Sequence, residues 1–237
     1  MKEYDLSQPM DKLIDVAVRK FGEVEFQTVS LGDVDVATLQ IKNMQQYLDK
    51  LMDKTRSGKT ISLPLWAKVW PSSLVMGLSL ARYPFPENAT ILEVGGGAAV
   101  NGIALAKRGH DVTIVDADQD ALLFSRINVL KNGLDGKVKV EATDFSTDST
   151  VGIYDFIVAC EMLFEDTTFD RMGGFMDASL GAGETSEAFL SVDMKKAAGK
   201  FFMDAGEVFN IMKSSATFKE EGEEKRVNLF RMKRKNA

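Results

Sequence analysis

The stretch Ile91-Leu92-Glu93-Val94-Gly95-Gly96-Gly97-Ala98-Ala99 runs an apolar strand into a glycine turn. A second strand follows at Val112-Thr113-Ile114-Val115, ending on Asp116. The intervening residues 100–108 have the apolar content of a buried helix, so the unit reads strand, turn, helix, strand, carboxylate. That order fits a nucleotide-cofactor site. Glycines let the backbone approach the ligand, the helix N-terminus faces an anionic group, and the later acid accepts hydrogen bonds from ribose hydroxyls.

The pattern continues outward from this unit. Residues 121–132 read as a helix, 138–142 as a strand and 156–159 as another. Residues 169–180 read as a helix, 188–192 as a strand and 196–212 as one long helix. Segments 216–219 and 226–232, around an acidic turn, read as a closing hairpin. Strands and helices alternating at this spacing predict an α/β fold, doubly wound, with a mostly parallel seven-stranded sheet and helices on both faces. Upstream, Met10–Phe21 reads as a helix, 26–31 and 34–41 as a hairpin about Gly32-Asp33, and 44–52 as a second helix. Pro71 opens a further helix over 72–82. The expected division is a capping extension at residues 1–62 and a catalytic domain at 63–237.

Composition narrows the function. The 237 residues carry a net charge of −6 with both signs mixed along the chain, which gives no basic stripe for nucleic acid. No run is long and apolar enough to cross a bilayer. One cysteine, Cys160, and one histidine, His110, leave neither a disulfide framework nor a zinc ligand set. No metal is expected, and a cytoplasmic setting is.

The glycine turn also discriminates between cofactors. A dinucleotide fingerprint puts glycine at the position of Val100, where a side chain crowds a pyrophosphate. The order found is acid-led, with Glu93 two residues before Gly95, and it resembles the first motif of the seven-strand S-adenosylmethionine-dependent methyltransferases. Ala99 stands where that motif has its third glycine. Three more strand ends carry acids or aromatics on the same rim: Asp116, then Asp144-Phe145 after the third strand, then Glu161 after the fourth. Asp144 is a candidate for the adenine amino group and Phe145 for its ring.

Two segments narrow the resemblance to the protein-lysine methyltransferase branch of that class. Pro64-Leu65-Trp66-Ala67-Lys68-Val69-Trp70-Pro71 resembles its W-x-x-x-W-P segment, and Cys160-Glu161-Met162-Leu163-Phe164 resembles its (D/E)-x-x-(Y/F) signature. Asn128 matches a frequent asparagine of the second helix. The resemblance implies cofactor contacts at Trp70, Gly95, Gly96, Gly97, Asp116, Phe145 and Cys160, and catalytic roles for Glu161 and Phe164. It implies S-adenosyl-L-methionine as cofactor and a lysine amine of a protein as acceptor. A small-molecule acceptor, or a binding module without turnover, is the alternative. Cys160, Met162 and Leu163 also read as apolar packing, and both tryptophans as anchors of the capping segment.

Overall fold

The computed structural model describes residues 3–56, 63–163, 169–193, 198–220 and 223–235. The chain runs α1 Met10–Phe21, β1 Val24–Leu31, β2 Val34–Ile41 and α2 Met44–Arg56, then a short 3₁₀ turn at Leu65–Ala67. It continues α3 Pro71–Leu80, β3 Thr90–Val94, α4 Val100–Lys107, β4 Asp111–Asp116, α5 Gln119–Lys131, β5 Val138–Ala142, β6 Phe156–Cys160, α6 Phe169–Ser179, β7 Glu187–Asp193, α7 Gly199–Val208, β8 Phe209–Glu220 and β9 Glu223–Arg234.

Seven strands form one sheet in the order β5-β4-β3-β6-β7-β9-β8. The first five are parallel, and the β8–β9 hairpin joins antiparallel through β9 on β7. The strands β3 and β6 are buried along almost their whole length because helices cover both faces. Ile91, Ile114, Phe156 and Val158 face α3 and α4 across one core layer. Leu92, Val94, Ile157 and Leu190 face α6 and α7 across the other. From β3 the chain winds outward through β4 and β5, then returns to place β6 on the opposite side of β3. The strand order therefore reverses between β3 and β6, and ligands in open α/β sheets bind beyond the carboxyl ends of strands at such a point.

The hairpin β1–β2 forms its own two-stranded sheet. Leu13, Ala17 and Phe21 of α1, with Leu39 and Ile41 of β2, pack on Phe124 and Ile127 of α5 in a third apolar cluster that Trp66 joins.

The stretch read as one helix over 196–212 is not one. Residues 194–197 lie outside the described residues, α7 ends at Val208, and Phe209 starts β8 in extended conformation (φ −113°, ψ 145°). Phe201, Ala205 and Phe209 recur at helical spacing, which carries the apparent period past the end of the helix. Over Phe209–Met212 burial alternates instead, and pairing of Phe209 with Arg234 fixes the strand. The hairpin strands are accordingly longer than the sequence pattern implied.

No helix among the described residues is long and apolar enough to cross a membrane.

Candidate active site

The turn after β3 is built around left-handed backbone. Gly95 and Gly97 have φ of +67° and +52°. At Gly97 a side chain is disfavoured twice, by that strained conformation and by the Trp66 carbonyl, which would lie a tight 3.1 Å from a Cβ. The N–H groups of Gly95 and Gly96 both donate to the Val115 carbonyl, at 2.9 and 3.1 Å. Ala99, at φ +58°, caps α4 in the same region of conformational space with an L side chain that is fully buried. The alanine in the third-glycine position thus keeps the glycine backbone and carries its strain.

Asp116 ends β4 beside this turn. Its Oδ2 accepts the Gly97 N–H and its Oδ1 the Asp118 N–H, both at 3.0 Å. Burial pushes its carboxyl up to about 6, against the opposing pull of those backbone hydrogen bonds. The Ala117 N–H also acts on this carboxylate, which as an acceptor-only group with about four lone-pair sites retains capacity for a further donor.

Glu93 lies one layer deeper, only 5% exposed. Its Oε2 accepts the Gly102 N–H from inside α4 at 2.9 Å. Gly102 permits that approach, since a Cβ there would sit 2.5 Å from the same oxygen. Burial pushes the Glu93 carboxyl up to about 8. Near neutral pH it holds its proton more often than not, so Asp116 supplies the negative charge at this spot.

On the far side, Phe145 is 8% exposed. Asp144 is half-engaged: its Oδ1 closes a turn by accepting both the N–H and the hydroxyl of Ser146, at 2.9 and 2.6 Å. Cys160 receives the Asn101 amide at 3.4 Å, and burial pushes its thiol up to about 12, which makes it an uncharged wall.

Glu161 directly follows β6 with φ +58°, an unfavourable conformation for a long side chain. It is held there from two directions. Its N–H donates to the Ser191 carbonyl at 2.9 Å, and its Oε1 accepts the Asp193 N–H at 2.8 Å. Strain retained at a strand end of this kind is a common feature of functional positions.

The last wall comes from the segment before α3. Trp70 donates its indole N–H to the Leu65 carbonyl at 3.0 Å, with Lys68 Nζ 5.3 Å from its ring centre. Trp66 packs on Phe21 and Phe124, at centroid distances of 5.5 and 4.8 Å.

These groups enclose a cavity of about 520 Å³ that opens at the strand-order reversal. Trp70, Glu93, Gly95, Gly96, Gly97, Asp116, Asp144, Phe145, Cys160 and Glu161 all line it. Phe164 lies outside the described residues. Trp66 lines the cavity as well as anchoring the cap. Met162, read from sequence as core, is half-buried and reaches the cavity, whereas its neighbour Leu163 is core at 2% exposed. The left-handed residue before Met162 redirects its side chain, and no pattern in the sequence announces that turn. Ser73, Lys68 and Thr143 also line the cavity without having stood out.

The volume is that of a small-molecule or cofactor site. Its chemistry is mixed in a way that suits a nucleoside bearing an amino-acid arm: a carboxylate at Asp116, the Ala98 N–H at the turn, and an aromatic face at Phe145.

Comparison with known proteins gives the same direction. A family described as lysine methyltransferase matches residues 48–208. Protein N-lysine methyltransferase METTL21A of Xenopus tropicalis is 32% identical over 120 residues, 48% of this chain and 55% of that protein. The chain thus spans about half the length of this curated relative. N-methyltransferase NodS of Bradyrhizobium japonicum, solved with S-adenosyl-L-homocysteine, superposes with a TM-score of 0.54 at 18% identity, over 81% of this chain and 99% of that one. A precorrin-6y methyltransferase of Geobacter metallireducens superposes with a TM-score of 0.55 at 14% identity, over 70% and 91% of the two chains. At these identities the superpositions speak to the fold.

Proposed function

Because the chain belongs to the lysine methyltransferase family, we propose that it is an S-adenosyl-L-methionine-dependent methyltransferase whose acceptor is a lysine amine of a protein. The observation that carries this reading is the meeting of the glycine turn, Asp116 and Glu161 in one cavity of about 520 Å³.

When bound, S-adenosylmethionine supplies an electrophilic methyl group on a sulfonium. The chain's residues bind, orient and shield. Asp116 offers its remaining lone pairs to the ribose hydroxyls. Phe145 and the free oxygen of Asp144 serve the adenine end. The backbone of Gly95, Gly96 and Gly97 lets the ligand approach closely, and Glu93 supports that turn from beneath through Gly102 rather than by touching the ligand. Cys160, uncharged, and Trp70 complete the apolar walls.

A lysine amine must be neutral to attack. With an ordinary pKa of about 10.4, deprotonation at pH 7 costs roughly 4.6 kcal/mol. A carboxylate favours the ammonium form, so Glu161 does not lower that cost. Its role is to orient the amine and accept its proton, from a position fixed by the Asp193 N–H. Holding nucleophile and electrophile in line supplies much of the rate. Phe164 forms part of the acceptor channel in this reading. The described part of the N-terminal extension, α1 with the β1–β2 hairpin, acts as a cap that holds Trp66 over the glycine turn.

The test is incubation of the protein with methyl-labelled cofactor and a cell lysate, read by mass spectrometry. Label on protein lysine is the expected result. Label confined to small molecules moves the acceptor to the metabolite class, and titration showing no cofactor binding removes the reading altogether.

A further inference from the structure

Helix α5 meets the glycine turn with two polar side chains one helical turn apart. Ser125 Oγ donates to the Gly97 carbonyl at 2.8 Å, and Asn128 Nδ2 donates to the Ala98 carbonyl at 3.0 Å. Both residues are completely enclosed. At its other end Asn128 Oδ1 accepts the N–H of Leu39, in β2, at 2.7 Å. One side chain thus ties the N-terminal hairpin to the turn. From the opposite side, Asp116 holds the same turn through the Gly97 N–H.

The Ser125 bond has a directional consequence. In a trans peptide unit the carbonyl and the N–H point opposite ways. Fixing the Gly97 carbonyl on Ser125 therefore aims the Ala98 N–H away from α5. Ala98 is part of the cavity wall, and among the described residues its N–H meets no acceptor. Buried backbone donors are rarely left unpaired. The acceptor expected here is a ligand atom.

We infer that Ser125 is a positioning residue that aims the Ala98 N–H at the carboxylate of the cofactor's amino-acid arm, and that Asn128, which holds the next carbonyl, steadies the same turn and ties it to the N-terminal hairpin. The inference rests on the reading that S-adenosylmethionine occupies this cavity. Asn132 supplies a built-in control. It anchors the same hairpin, accepting the Ala37 N–H at 3.1 Å and donating to the Ala37 carbonyl at 2.8 Å, and it also donates to the Asn128 backbone carbonyl at 2.8 Å, but it makes no bond to the turn.

Calorimetric titration with two probes tests it: S-adenosylhomocysteine, which carries the amino-acid arm, and 5′-methylthioadenosine, which lacks it. The variants are Ser125→Ala, Asn128→Asp and Asn132→Ala. Asn128→Asp keeps an acceptor for Leu39 but sets an oxygen against the Ala98 carbonyl. Ser125→Ala and Asn128→Asp are expected to weaken S-adenosylhomocysteine about tenfold or more, equivalent to roughly 1.4 kcal/mol, while 5′-methylthioadenosine stays within about threefold. Asn132→Ala is expected to lower the melting temperature and leave both affinities in place. Equal losses for the two probes, or undiminished S-adenosylhomocysteine binding by Ser125→Ala, overturn the inference while leaving the proposed function standing. A wild-type protein that binds neither probe removes both.

Discussion

Substituting Glu93 with Gln tests whether a proton is stored beneath the glycine turn. Burial puts the folded-state pKa at about 8, against an ordinary 4.5. The folded chain keeps this proton where the unfolded chain has already released it. Stability from the group is therefore complete below the unfolded value and declines as pH rises from about 4.5 to about 8. The slope is about 1.4 kcal/mol per pH unit, so roughly 4 kcal/mol is lost between about pH 5 and pH 8. Asp116 adds a decline of its own, but only up to about pH 6, and it is present in both proteins. The clean window is thus about pH 6.5–8. Gln has nearly the same shape, keeps an oxygen for the Gly102 N–H and does not titrate. Urea denaturation of both proteins across that window should show wild type losing about 1.4 kcal/mol per unit relative to Glu93→Gln, approaching 2 kcal/mol in total. A stability difference that stays flat from about pH 6.5 to 8 refutes the argument, since it means that Glu93 is ionised in the folded state well below neutrality.

Four further outcomes follow from the site and its supports. Asp116→Asn should weaken S-adenosylhomocysteine binding by about 10- to 100-fold in calorimetry, the size of a hydrogen bond to a charged group. In wild type the same affinity should fall as pH drops through about 6, where the raised Asp116 carboxyl takes up a proton. Glu161→Gln should cut methyl transfer by about 100-fold or more while S-adenosylhomocysteine affinity changes less than about threefold, because its carboxylate serves the acceptor and not the cofactor. Phe21→Ala removes a ring, 4% exposed, packed on Tyr47, Trp66 and Phe124, and should cost about 3–4 kcal/mol by chemical denaturation.

The parallel sheet was legible because its strands are buried on both faces and its helices separate them at regular intervals. Ile91-Leu92, Ile114-Val115 and Phe156-Ile157-Val158-Ala159-Cys160 are apolar runs that end on Glu93, Asp116 and Glu161, and such runs have few other ways to fold. The α7–β8 junction was not legible, for a corresponding reason. Phe209 satisfies a helical period with Phe201 and Ala205 and also a strand period with Ile211, so local pattern cannot choose between them. The choice is made by β9, in which Arg234 and Met232 pair with Phe209 and Ile211 across the hairpin. A partner distant in sequence decides the structure, and periodicity carries no trace of it.

The site divides along the same line. Residues that line the cavity because they end a strand could be found by reading strand ends: Asp116, Asp144 and Glu161 stand on one rim as a result of parallel topology alone. Residues that act from a helix behind the turn could not. Ser125 is one more polar residue in a helix whose apolar pattern wraps almost all round, and in sequence it resembles any serine on a solvent face. Its meaning comes from Gly97, 28 residues earlier, to whose carbonyl it donates in a fully enclosed space. Ala99 makes the point from the other side. Read as a departure from a three-glycine motif, it weakens the motif. In the fold it holds a left-handed φ of +58° at the N-cap of α4, the backbone that a glycine there would adopt without strain. What the motif encodes is therefore a backbone trajectory, enforced here by Asp116, Ser125 and Asn128 together. Glycine is the residue that meets that trajectory at the lowest conformational cost, and alanine can follow it when three side chains hold the turn in place.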